Sequence, residues 1–295
     1  MYVRLRHNLQ SGQRETRTSP STMNYLDFLA PYAAGAVHAI LLVSWFMVPM
    51  LLLEVVVPGQ KLNFLTVAFN LLWAPLYLIF AALLLHHVSA VVRPAIPINI
   101  FGLQIQDAPP WKLALIVFVY LVLFDLLFYW FHRAQHKWQW MWRFHRFHHS
   151  DNNVALLSAT RHHWVEESIR FFMIFIPLII LFGNHLQALP WLGIAIGVSG
   201  MFIHWNSPLR LGVLTSLVVG PQYHRIHHSV NPEHHDKTFS VMFPVWDRVF
   251  GTQYLPKPGE FPRTGLGPDQ PNVLLQLSPW PMLQRRRPGM AGRLD

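Results

Sequence analysis

Apolar residues in this chain fall in long runs, not in alternating stretches. Residues 33–57 and 62–85 are each long enough to cross a hydrocarbon core of about 30 Å, which takes roughly 20 helical residues. A third span is expected at residues 111–131, WKLALIVFVYLVLFDLLFYWF. Trp111 and Lys112 open it, and Phe128, Tyr129, Trp130 and Phe131 close it with the amphipathic aromatics of a membrane boundary. The run from Ile169 to Trp205 is too long for one crossing and barely long enough for two. GNHLQALP supplies turn residues in its middle, so a tight hairpin is expected, as two spans or one re-entrant pair. Between and after these runs lie polar, aromatic, histidine-rich blocks at 132–168 and 204–255. The pattern predicts an all-α fold: an integral membrane helical bundle carrying a helical, histidine-rich cap.

Composition agrees. The chain is 52% hydrophobic and 13% charged, too apolar for an ordinary soluble enzyme. It has no cysteine, which excludes disulfides, iron–sulfur clusters and thiolate metal sites within it. The net charge of +9 is gathered beside the apolar runs, at Arg133, Lys137, Arg143, Arg146, Arg161, Arg210, Arg225 and Arg285 to Arg287. That placement reads as cytoplasmic loop charge and contact with anionic lipid, and no nucleic-acid partner is expected.

Four segments are expected. Residues 1–22 are polar, Arg-rich and aperiodic, and read as a disordered N-terminal segment without the apolar stretch of a signal peptide. Residues 23–110 form an N-terminal transmembrane region, 111–255 the histidine-bearing domain and 256–295 a Pro-rich C-terminal tail. Three spans before His132 with a cytoplasmic N-terminus would put the histidines outside, whereas the basic loops around them argue for the cytoplasmic side. Either of two expectations resolves this: residues 93–110 lie in the interface, or translation starts at Met23.

The histidines carry the candidate chemistry. His132 and His136 form HxxxH; His145, His148 and His149 form HxxHH; His224, His227 and His228 form a second HxxHH. Positions i, i+3 and i+4 share a helix face, so each box is expected to point its imidazoles in one direction. Random placement of the 18 histidines would give roughly 0.07 copies of HxxHH, so two copies are not accidental. RHHWVE, with His162, His163 and Glu166, and FIHWN, with His204, lie between the boxes. His7, His38, His86, His87 and His185 are given no chemistry, and His234 and His235 break the spacing.

Neutral imidazole suits zinc, copper, iron and nickel, and one zinc takes only three or four ligands. Eight box histidines with His163 and His204 make ten, a number that favours a dinuclear centre open to dioxygen, for which iron is the usual metal. Asp125, two helical turns before His132, is placed to accept a hydrogen bond from a ligand imidazole, and Glu166 to do the same three residues after His163. A metal transporter would instead set its ligands at mid-membrane on broken helices, and a metal buffer would carry loose histidine tracts.

HRAQH, HRFHH and HRIHH, with RHHWVE and FIHWN between them and DKTFSVMFPVWDRVFGT after them, resemble the fatty acid hydroxylase/sterol desaturase superfamily over about residues 111–255. The resemblance implies two iron ions held by His132, His136, His145, His148, His149, His163, His204, His224, His227 and His228, at the cytoplasmic face of a bacterial inner membrane or endoplasmic reticulum membrane. It further implies dioxygen as co-substrate and hydroxylation of an unactivated C–H bond of a lipid, with desaturation on the same diiron centre as the alternative. Two electrons would come from a separate donor, a cytochrome or a ferredoxin with its reductase. The chain departs from the family at Trp164, where Pro often follows the second histidine, which leaves His162 and His163 in competition with His163 favoured. It departs again at Thr238, Phe239 and Ser240, where Asn-Tyr/Phe-Gly is common.

Overall fold

The computed structural model describes residues 41, 43–95, 99–102, 108–183, 190–267 and 277, and the expected N-terminal segment 1–22 lies outside them. Among the described residues every regular element is helical, and the extended pairing is a single bridge between Ser229 and Thr264. Among the described residues two helices are long and apolar enough to cross a membrane. They are α2 (Phe64–Ala95), whose apolar stretch is Phe64–Leu84, and α3 (Pro110–Lys137). A shorter apolar helix, α1 (Val43–Val56), precedes them.

At 1.5 Å per residue the 28 residues of α3 rise about 42 Å, more than a hydrocarbon core is thick. The helix therefore does not stop at the aromatic belt; its last turns carry His132 and His136 beyond it. Pro109 and Pro110 start α3, where a missing N–H costs nothing, and Trp138 ends it in extended conformation. That one residue turns the chain straight into α4 (Gln139–His149), so α4 folds back on the end of α3. The expected hairpin begins with helical residues 164–182: α5 (Trp164–Arg170), a π-helical turn at Phe171–Phe175, and α6 (Ile176–Phe182). It returns through α7 (Pro190–His204). The expected turn residues 184–189 lie outside the described set, but Gly183, at φ +73°, already leaves the helix in a conformation suited to glycine. Two short helices follow, α8 (Pro221–His227) and α9 (Val245–Val249).

The core sits between α3 and the 164–182 helix. Ile116, Tyr120 and Phe124, four apart on one face of α3, pack with Ile174, Leu178 and Phe182 and reach Leu192 of α7. The opposite faces stay apolar and uncovered: Phe64, Leu65, Leu72 and Leu76 of α2 and Trp111, Leu115 and Phe118 of α3 are exposed, as residues facing lipid are. Polar groups buried near the histidine cap tie these helices to it. Glu54 of α1 accepts from the backbone N–H of Leu156 (2.9 Å) and Asn206 (2.7 Å). Asn70 of α2 donates to Asp151 (2.9 Å), and the Arg161 guanidinium lies over Phe69 and Phe147.

Residues just after the C-terminal boundary expected at 256 pack against the cap. Arg225 donates to the Pro262 carbonyl (2.9 Å) and stacks on Phe261, and Glu260 pairs with His234. Residues 256–267 thus continue the cap: buried polar groups of α8 find partners there that the local sequence does not supply.

Candidate metal centre

The one-residue turn at Trp138 sets α3 against α4 with a fixed offset of 13 residues. His132 Nε2 meets His145 Nε2 at 3.1 Å, and His136 Nε2 meets His149 Nε2 at 3.2 Å. With His227 these four form one group of imidazole nitrogens. His148, His204, His224 and His228 form a second, and within each the ligand atoms lie within 4.8 Å of one another.

Each HxxHH box is divided between the two groups, contrary to the expectation that all its rings share one direction. The i and i+4 rings, His145 and His149, stay together, while the i+3 ring, His148, lies about 100° around the helix from its neighbour and enters the other group. In the second box the allocation is reversed: His224 and His228 go to the second group and His227 to the first. Two boxes, each giving two rings to one point and one to the other, explain why the motif occurs twice.

Nine of the ten expected ligands are brought together, and His163 is not. Its Nδ1 accepts the Val165 N–H at 3.1 Å as the N-cap of α5, and its ring stacks on Trp164. His162, which the sequence disfavours, lies beside the centre, its ring parallel to His148 with centroids 4.4 Å apart. One oxygen of Glu166 accepts from Nδ1 of both His145 and His162 at 3.0 Å, so Glu166 orients a clustered imidazole but not through His163. Asp125 does not touch an imidazole. Its carboxylate accepts instead from the backbone N–H groups of Val241, Met242 and Phe243, because its helix face is covered by that segment.

These partners fix the tautomers. His132 Nδ1 faces the Phe239 carbonyl (2.8 Å), His227 Nδ1 that of Lys237 (2.9 Å), His204 Nδ1 that of Gly200 (2.6 Å) and His145 Nδ1 the Glu166 carboxylate. His136 Nδ1 faces Asp236 at 3.4 Å. These oxygens only accept, so each Nδ1 donates and each Nε2 presents its lone pair. His132 and His145 then point two lone pairs at each other across 3.1 Å, and Nε2 of His227, fully buried, has no hydrogen-bond partner at all. Such an arrangement is repulsive unless a cation lies among the nitrogens. Metal–imidazole bonds of about 2.1 Å place neighbouring ligand nitrogens about 3.0 Å apart at right angles and about 3.4 Å apart in a tetrahedron. Spacings of 3.1 to 3.2 Å fall within this range, so each group can ligate one ion.

Burial, reinforced by mutual repulsion, pushes His148, His149, His224, His227 and His228 well below the ordinary imidazole range, so they are neutral and ready to ligate at pH 7. Burial works the other way on Glu166, but the imidazoles of His162 and His145 outweigh it and hold the carboxyl well below its usual range.

Sequence reading missed Asp236, the carbonyls of Lys237 and Phe239, and Asp247, which accepts from the N–H of Phe239 (2.8 Å) and Ser240 (3.0 Å). Backbone acceptors leave no residue-type signal; Asp247 was visible only as part of the run DKTFSVMFPVWDR.

Residues 117–252 match the family model described as fatty acid hydroxylase. The ornithine lipid hydroxylase OlsE of Rhizobium tropici is 30% identical over 50% of this chain and 44% of its own length. Alkylglycerol monooxygenases are 30% identical as well, that of Danio rerio over 48% of this chain and 31% of its own, and that of Homo sapiens over 43% and 28%. The chain thus spans less than half the length of these relatives. No solved structure gives a significant match.

Proposed function

We propose that the chain, whose residues 117–252 match the fatty acid hydroxylase model, is a member of the fatty acid hydroxylase/sterol desaturase superfamily and a membrane diiron oxygenase hydroxylating an unactivated C–H bond of a polar lipid. The observation that carries the reading is the convergence of nine imidazole nitrogens into two adjoining groups, with lone pairs aimed inward. His132, His136, His145, His149 and His227 would hold one iron, and His148, His204, His224 and His228 the other. An iron pair so held supplies the oxidising power that dioxygen and two electrons generate for breaking a strong C–H bond.

The protein's own part is position and dryness. Buried imidazoles that stay neutral bring no protons that must leave before a metal enters. Glu166, the Phe239 and Lys237 carbonyls and Gly200 lock ring orientation, so the ligands need little reorganisation. Apolar side chains of α3 and of the 164–182 helix reach from the hydrocarbon level to the cluster, and a lipid substrate entering from the bilayer along them would meet the centre with water excluded. Trp142 packs on the rings of His136 and His149, with Arg143 beside it in sequence. We place the approach of a separate electron donor, a cytochrome or a ferredoxin with its reductase, on this side. From the basic loops we propose that the cap faces the cytoplasmic side of a bacterial inner membrane or endoplasmic reticulum membrane.

The preference for a polar lipid rests on the activities that name the relatives, an ornithine lipid hydroxylase and alkylglycerol monooxygenases. Comparative lipidomics of cells with and without the protein tests it. A polar-lipid class gaining one oxygen supports hydroxylation; a class losing two hydrogens assigns desaturation; no shifted class contradicts both.

A further inference from the structure

The segment Asp236–Phe243 is a strap across one half of the histidine centre. On one side it hands out acceptors to imidazole Nδ1 atoms: Asp236 to His136, the Lys237 carbonyl to His227 and the Phe239 carbonyl to His132. All three rings belong to the group that also holds His145 and His149. In the other group His204 alone has such a partner, the Gly200 carbonyl of its own helix. Nδ1 of His148, His224 and His228 is buried without a hydrogen bond.

On its other side the strap is gripped by two buried carboxylates. Asp247 accepts from the N–H of Phe239 and Ser240, and Asp125 from those of Val241, Met242 and Phe243, so five consecutive amides end on two side chains from different helices. The grip holds the strap in a conformation it would not adopt alone. Asp236 and Thr238 stand at φ +58° and +56°, a left-handed region unfavourable for a β-branched residue such as Thr238, whose hydroxyl is buried without a partner. The five amide hydrogen bonds to the two carboxylates, with that from the Thr238 N–H to the Thr252 carbonyl (2.9 Å), offset this.

We infer that Asp247 and Asp125 are positioning residues for one metal site only, acting through the strap on His132, His136 and His227. The inference rests on the two-iron reading above. Its physical content is an asymmetry: releasing the strap takes away the Nδ1 acceptors of three rings of the first group and of none of the second, where the one Nδ1 acceptor is the Gly200 carbonyl.

Asp247→Asn and Asp125→Asn loosen the strap from opposite ends and barely change side-chain volume; Asp247 also accepts from the Tyr223 hydroxyl of α8 (3.1 Å), so Asp125→Asn is the variant that acts on the strap alone. Each full-length variant is purified in detergent, loaded with iron-57, and its iron per chain and Mössbauer spectrum are compared with the unaltered protein. In both variants iron falls from about two per chain toward one, and one spectral component is lost while the other keeps its parameters. Retention of both irons, or loss of both in equal measure in both variants, overturns the inference. If the unaltered protein itself binds no iron pair, the two-iron reading fails instead.

Discussion

The Nε2 atoms of His132 and His145 stand 3.1 Å apart although each ring has committed its Nδ1 proton elsewhere, to the Phe239 carbonyl and the Glu166 carboxylate. Two lone pairs at that distance repel. A cation between them would turn the contact into two ligand bonds, and the pair is placed to hold one.

Glu166 serves that contact from outside it. Glu166→Gln keeps the shape and removes the charge that holds the His145 and His162 protons. Metal affinity is expected to fall about 10- to 100-fold, the usual cost of losing such a partner, as read by competition with a chelator. Unchanged affinity would show that Glu166 does not orient His145.

His163 is an N-cap and lies outside both groups. His163→Ala is expected to lower stability by about 1 kcal/mol, the ordinary cost of a lost cap, with metal content unchanged. Loss of metal with stability intact would restore His163 as a ligand.

The pH dependence follows from the buried imidazoles. His148, His149, His224, His227 and His228 titrate well below the value of about 6.5 that they take in the unfolded chain. Between those values the unfolded chain binds more protons, so stability rises with pH there. It is fully present above about pH 6.5 and is lost as pH falls below it. Metal-free protein is expected to unfold at a lower temperature at pH 5.5 than at pH 7.5. Equal unfolding temperatures would contradict the burial of these rings.

Glu54 holds α1 to the cap through the N–H groups of Leu156 and Asn206. Glu54→Leu leaves two buried donors unsatisfied and is expected to cost on the order of 2–4 kcal/mol. A lowered apparent Tm in detergent checks this, and an unchanged Tm would mean that both amides find water.

Much of this was legible in the sequence. The apolar runs predicted an all-helical membrane chain by their length, and the histidines predicted shared helix faces by their spacing, because both signals are local in the sequence. The division of each box was not, since helical register gives relative angles around one helix and not which neighbour each angle faces. The sequence does not separate His162 from His163, because adjacent residues differ only by which ring the backbone turns inward. For Asp125 the face was right and the partner wrong, since the strap that covers it comes from more than a hundred residues away. The carbonyls of Lys237 and Phe239 could not be found at all, because every residue has one.

The most direct test of the two-ion centre is metal content combined with X-ray absorption on the purified full-length chain. The expected result is about two irons per chain in a first shell dominated by imidazole nitrogen. A single ion in a tetrahedral shell, or no stoichiometric metal, would contradict it.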